Sequence, residues 1–101
     1  MAHPLLERLD AGVVLADGAM GTMLYESGHE LESCLDALNL SSPQTVAAVH
    51  RAYINAGADI IETNTFSANR MRLEVHGLAD KVRDINFRGV KIAREEREIS
   101  G

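Results

Sequence analysis

The chain has 101 residues, 46% of them hydrophobic and 25% charged, with a formal net charge of -5. That is a soluble, globular composition with room for at most one modest domain. Its acidic balance argues against a nucleic-acid partner, which calls for a basic face, and equally against a membrane surface.

No apolar run approaches the roughly 18–20 residues of a membrane helix. Met1-Ala2-His3-Pro4 lacks the basic start and apolar core of a signal peptide. The single cysteine, Cys34, forms no internal disulfide and fits a reducing, cytoplasmic setting.

Leu5, Leu6 and Leu9 share one face of a short first helix, and Gly12 stops it. Val13 to Ala16 reads as a buried strand, followed by the turn-rich Asp17-Gly18-Ala19-Met20-Gly21-Thr22. Thr22 to Glu26 makes a short helix closed by Ser27-Gly28, and His29 to Asn39 reads as a loop holding one helical turn. Ser41-Ser42-Pro43-Gln44 is a helix start: either serine can cap, Pro43 suits the first turn, and Ser41 with Gln44 fits a capping box. Val46, Val49, His50 and Tyr53 form the inner face of that helix, and Gly57 ends it.

A second buried strand covers Asp59 to Thr63 and turns polar at Glu62-Thr63-Asn64-Thr65. Ser67-Ala68-Asn69 starts a short helix through Glu74, closed near His76-Gly77. A last helix runs from about Asp80 to Ile99, with Val82, Ile85, Gly89 and Ile92 inward and Gly89 allowing close packing. The mixed charges from Lys91 to Glu98 read as its solvated face.

About forty residues and a good helix separate the two strands, so the connection suits a parallel crossover. Both strands are apolar enough to be covered on two sides. Two strands alone cannot cover themselves, and a complete βα barrel needs about 250 residues. The expected fold class is α/β, with residues 1–101 forming about two βα units from the N-terminal portion of a (βα)8 TIM barrel. Read this way the chain is a fragment, with exposed edges that favour self-association.

Parallel strands deliver Asp17-Gly18 and Thr63-Asn64 to one face, where α/β proteins place their sites. An Asp beside the N–H groups of a Gly turn can hold an amine and a carboxylate together. The alternative is plain turn chemistry, since Asp-Gly is a common turn pair and Asn often closes strands. Strand alternation turns Glu62 away from Thr63, so it either contributes charge to a pocket or pairs with a partner on a strand this chain lacks, and the cost of unpaired burial favours a buried, paired carboxylate. His3, His29, His50 and His76 match no compact metal motif. His50 reads as a packed, hydrogen-bonded residue, Cys34 as an ordinary thiol, and Met20, Met23 and Met71 as packing.

The segments Asp17-Gly18-Ala19-Met20-Gly21-Thr22-Met23-Leu24, Leu38-Asn39-Leu40-Ser41 and Gly57 through Phe66 resemble the homocysteine S-methyltransferase family. Asn86 and Ile92-Ala93-Arg94 fit as well. The closest likeness is to the homocysteine-binding module of bacterial methionine synthases, and to bifunctional enzymes that join it to a methylenetetrahydrofolate reductase. The resemblance implies a cytoplasmic, zinc-dependent barrel in methionine biosynthesis that methylates the sulfur of homocysteine. The methyl donor would be a methyltetrahydrofolate, methylcobalamin, a betaine or S-methylmethionine.

It also implies that Asp17 holds the substrate amine, and that Gly18 and Ala19 backbone with Thr63 holds the amino-acid end. Asn64 completes the set of substrate-binding residues. The family's zinc ligands, one cysteine and an adjacent pair, have no counterpart here, because Cys34 matches none of them. No catalytic or metal residue is therefore expected in these 101 residues. The expected partners are homocysteine and the remainder of the barrel, and the isolated chain is expected to be inactive. Two alternatives stand beside this: a non-catalytic homologue that binds a partner chain, and a barrel enzyme for another amino acid or thiol.

Overall fold

A computed structural model describes residues 3–26, Gly28 and residues 34–101. His29 and the following four residues, where the sequence suggested the start of a loop, lie outside it, as does Ser27.

Among the described residues six α-helices follow in order: α1 (Pro4–Ala11), α2 (Met20–Glu26), α3 (Leu38–Ser41), α4 (Pro43–Asn55), α5 (Arg70–Glu74) and α6 (Val82–Ser100). Short 3-10 turns at Leu35–Ala37 and Ala79–Lys81 lead into α3 and α6. Local chemistry explains the boundaries. His3 caps α1 by accepting from the Leu5 N–H at Nδ1, and Pro4 fills the first turn. Asn69 caps α5 through its side-chain oxygen to the Arg72 N–H. After α4, the N–H of Gly57 bonds the Ile54 carbonyl and that of Ala58 bonds Tyr53, with Gly57 at φ 108°. The same pair of bonds recurs at Gly77 and Leu78 after α5, with Gly77 at φ 72°. Both are Schellman endings, which need a left-handed residue that glycine supplies without strain.

The expected capping box at Ser41 and Gln44 is absent. Ser42 occupies the cap without a side-chain bond, and Ser41 donates its hydroxyl back to the Ala37 carbonyl inside α3. Ser41 is the last residue of that short helix, so its side chain is used there.

The two strands reduce to one parallel bridge between Ala16 and Ile60. Asp17 N–H bonds the Ile60 carbonyl at 2.9 Å, and Asp59 and Ile60 N–H both reach the Leu15 carbonyl, at 2.7 and 3.0 Å. The parallel direction matches expectation, and the strand residues lie open, as expected of two strands that cannot cover themselves. Val13 is 88% exposed and Leu15 56%, because no described residue packs over them. The leucine face of α1 is likewise uncovered. Asp59 holds this corner together: one oxygen takes the Leu15 N–H and the other pairs with Arg8 of α1 at 2.8 Å.

The core lies on the helical side in two clusters. Leu24, Val46, Val49 and Ile92 join α2, α4 and α6, with Met20 and Met23 packed against them. Ala68, Leu73 and Ile85 join α5 to the start of α6. Met71, expected to pack, is exposed. Most charges on α6 are solvated as expected, but Glu96 is buried and takes a two-point contact from Arg51 of α4, at 2.7 and 3.2 Å.

Between these clusters, Asn39 and Asn64 form a buried amide knot. Asn39 Nδ2 donates to the carbonyls of Asn64 (2.8 Å) and Ile85 (3.1 Å). Asn64 Nδ2 donates to the Leu35 carbonyl and to Asn39 Oδ1. Gly89 of α6 lies directly on the knot: a Cβ there would fall 2.7 Å from Asn39 Nδ2 and 2.8 Å from Thr65 Cγ2.

Alanine normally strengthens a helix relative to glycine by about 1 kcal/mol. At position 89 the Asn39 amide is pinned by two carbonyls and cannot yield, so Gly89→Ala is expected to destabilise by about 1–3 kcal/mol. Gly21 of α2 provides the contrast, since its added Cβ would meet only Leu35 Cδ1 at 3.5 Å. Gly21→Ala should stay within about 1 kcal/mol of the parent. Urea denaturation of both variants checks the pair, and equal stabilities would contradict the close packing at Gly89.

Candidate functional site

Past the bridge, neither chain segment continues as a regular strand, and the two polar turns open into a shared cleft. Asp17, Gly18, Ala19, Thr63 and Asn64 all line it, enclosing about 520 Å³. The sequence brought these five together correctly in space. The cleft is closed on its other sides by Met20, Cys34, Asp36 and Ser67, and by Arg72 and His76 from the α5 region.

Asp17 is fixed from one side, its Oδ2 accepting the Glu62 N–H at 3.0 Å. Its Oδ1 is buried without a hydrogen-bond partner among the described residues. Gly18 sits against the ring of Tyr53, whose hydroxyl donates to the Ala19 carbonyl at 3.1 Å. An added Cβ at Gly18 would fall 2.9 Å from that hydroxyl oxygen, so the glycine is required by close approach. Among the described residues nothing accepts from the backbone N–H of Gly18 or Ala19.

Across the cleft, Thr63 and Thr65 share a hydroxyl–hydroxyl hydrogen bond of 2.6 Å, and the Thr65 N–H turns back onto the Thr63 carbonyl. That tight turn explains Glu62. It is exposed, lines the cleft beside Thr63 and has no ion-pair partner among the described residues. The expectation of a buried, paired Glu62 fails because alternation applies only to a continuing strand. Asn64 is 6% exposed, and both its amide hydrogens are committed to Leu35 and Asn39. It shapes the wall.

Two supporting residues were not legible as such. Asp36, in a stretch of weak pattern, is buried and accepts the Ser67 N–H at 2.8 Å, and burial raises its carboxyl above the ordinary value. Tyr53 was recognised as an inner-face residue, but nothing local signals that its hydroxyl crosses to Ala19. His50 is fully buried as expected, yet both ring nitrogens are without a hydrogen-bond partner among the described residues. Its predicted hydrogen bonding is therefore not observed. Burial lowers its pKa, against the pull of the Asp17 and Glu96 carboxylates. Among the described residues, no group of three His, Cys, Asp or Glu side chains is placed to hold a metal ion.

Comparison with known proteins places this geometry in context. The homocysteine S-methyltransferase family model matches residues 14–100. The chain is 44% identical over 96 residues to methionine synthase of Mycobacterium leprae, covering 89% of the chain and 8% of that protein. It is 41% identical over 103 residues to methionine synthase of Mycobacterium tuberculosis, covering 96% of the chain and 9% of that protein. The crystal structure of the homocysteine methyltransferase MmuM from Escherichia coli, in its metallated form, superposes with a TM-score of 0.83 at 30% identity. That match covers 97% of this chain and 35% of the other. The chain thus spans about a tenth of the synthases' length and about a third of the solved enzyme.

The lowered pKa of His50 fixes the sign of a pH effect. A base whose folded pKa lies below its unfolded value of 6.5 contributes stability that is full above that value and is lost as pH falls through the folded pKa. Asp36, raised from 3.8, works in the opposite sense, losing stability as pH rises through its folded value. The thermal midpoint is therefore expected to fall between pH 7.5 and about 5.5, and this slope should flatten in His50→Gln. Melting curves across that range check it, and parallel slopes in the two proteins would contradict it.

Proposed function

The chain belongs to the homocysteine S-methyltransferase family, and from that premise we propose that it supplies the amino-acid-binding half of a homocysteine pocket. The observation that carries the reading is the convergence of Asp17, Gly18, Ala19 and Thr63 on one cleft, with two backbone N–H groups there unused by the described residues. An α-amino acid presents an ammonium and a carboxylate on one carbon. Asp17 suits the ammonium, with Glu62 adding negative charge nearby. The N–H groups of Gly18 and Ala19, with the Thr63 hydroxyl, suit the carboxylate. Asn64 contributes the wall behind them.

This assignment leaves the side chain of the substrate directed away from the chain's own polar groups. In the proposed reaction the homocysteine thiol loses its proton, and its sulfur takes a methyl group as the bond from methyl to donor breaks. A thiolate is the competent nucleophile, and zinc would produce it at neutral pH. The residues described here do not form a metal site. We therefore assign the zinc ligands to parts of the enzyme outside these 101 residues. The donor, a methyltetrahydrofolate or methylcobalamin, is assigned outside them too. Barrel closure around the cleft would make this chain the N-terminal portion of a (βα)8 barrel, acting in the cytoplasm. No helix among the described residues is long and apolar enough to cross a membrane.

Titration of the 15N-labelled chain with L-homocysteine tests the pocket directly. The amide signals of Gly18, Ala19 and Thr63 are expected to move together. Asp17→Asn should weaken binding about tenfold or more, the equivalent of one charge-assisted hydrogen bond. Alanine at matched concentration should move the same amides, because they read the amino-acid end. Saturating homocysteine that leaves these amides unmoved would overturn the proposal. Methionine formation by the 101 residues alone would overturn the external zinc site.

A further inference from the structure

Three buried side-chain atoms without hydrogen-bond partners stand out among the described residues: Asp17 Oδ1 and the two ring nitrogens of His50. A buried carboxylate oxygen or imidazole left unpaired is costly, and a polar site with two or more such atoms suits a bridging water.

Their positions agree. His50 lies on α4 one turn before Tyr53, so the two side chains share a helix face. Tyr53 reaches Gly18 and the Ala19 carbonyl, the residues that follow Asp17. His50 therefore sits beneath the base of the same turn. Asp17 is held through Oδ2 by the Glu62 N–H, which leaves Oδ1 on the buried side. The charged groups whose fields reach His50 are Asp17 and, from α6, Glu96, and Glu96 is already engaged by Arg51. With Glu96 neutralised by that two-point contact, Asp17 is the acceptor that still lacks a donor.

We propose that His50 is a positioning residue for Asp17: one imidazole N–H is directed to Oδ1 across one bridging water, and fixes the carboxylate in the cleft. An ionised carboxylate only accepts, so it selects the neutral imidazole tautomer whose N–H points toward it. The contact holds one oxygen from below while Glu62 holds the other from the side. The consequence for substrate rests on the reading of Asp17 as the amine-binding group; the contact itself does not.

Long-range 1H–15N spectra of the histidine-labelled chain, without substrate, test the contact separately from the homocysteine reading. In the parent protein at pH 7.5, His50 is expected as a single neutral tautomer with a slowly exchanging N–H. An Asn side chain can donate as well as accept, so Asp17→Asn should change the tautomer ratio and speed N–H exchange about tenfold. Glu96→Gln should leave the tautomer unchanged. Unchanged tautomer and exchange in a folded Asp17→Asn protein would overturn the proposal, as would rapid averaging of both tautomers in the parent.

Should Asp17→Asn fail to fold, a crystal structure of the parent protein decides. A water within hydrogen-bond distance of both a ring nitrogen and Oδ1 supports the contact. Ring nitrogens surrounded only by apolar side chains refute it.

Discussion

The structure depends on the buried knot between Asn39 and Asn64. Four hydrogen bonds from two amide nitrogens tie the end of the second strand segment to the 35–39 turn and to α6. Each belongs to a group that water cannot reach, so losing one partner would leave the other orphaned, at a cost of about 1–3 kcal/mol. The knot exists only because α6 offers no side chain at Gly89. A helix that came no closer than an alanine allows would set the Ile85 carbonyl out of Asn39's reach. One missing methyl group thus decides where the 63–67 segment runs, and with it one wall of the cleft.

The opposite wall is fixed by other means. Asp59 gives one oxygen to the Leu15 N–H and the other to Arg8, locking the segment before Asp17 against the second strand segment. The bridge from Ala16 to Ile60 and the bond from Glu62 to Asp17 then carry that registration into the cleft. Tyr53 supports the turn from beneath, packing on Gly18 and bonding Ala19. The Asp17 carboxylate is accordingly oriented by the Glu62 N–H, while among the described residues nothing accepts from the Gly18 and Ala19 N–H groups. Rigid support behind a polar turn is what a pocket needs to bind without first ordering itself.

What was legible in the sequence was what local chemistry decides. Pro43 marks a helix start by its fixed backbone angle, and Asn69, Gly57 and Gly77 mark helix ends through bonds within a few residues; all four do so here. The inner faces of α4 and α6 followed from spacing, including the close approach at Gly89. The convergence of Asp17 with Thr63 followed from parallel strand direction, which needs no side-chain detail. The failures share a different cause. Glu62 was placed by alternation, yet the chain leaves the strand path at that point and Thr65 folds back on Thr63. Asn64 read as a substrate contact or a strand end, and nothing local signalled its partners Leu35 and Asn39, 29 and 25 residues away. Glu96 looked solvated within a charged run until Arg51, 45 residues distant, reached it. Partners that far apart leave no mark in local pattern.

The exposed side of the molecule follows from the same division. Val13 and Leu15 are strand residues by composition, yet 88% and 56% of their surface is open. Apolar surface favours burial by about 25 cal/mol per Å², so a sequence that places β-branched and aliphatic residues there is suited to further neighbours in a sheet. In the proposed function those neighbours are the remaining barrel strands, and they bring the metal. On that proposal, recognition of the amino-acid end would need a carboxylate, two backbone N–H groups and a hydroxyl, and residues of each kind line the cleft. Activation of the sulfur would need soft ligands around zinc, and this chain's one cysteine cannot provide them. The proposal therefore separates binding from chemistry, the amino acid being held by the cleft and its thiol directed toward the remaining barrel strands.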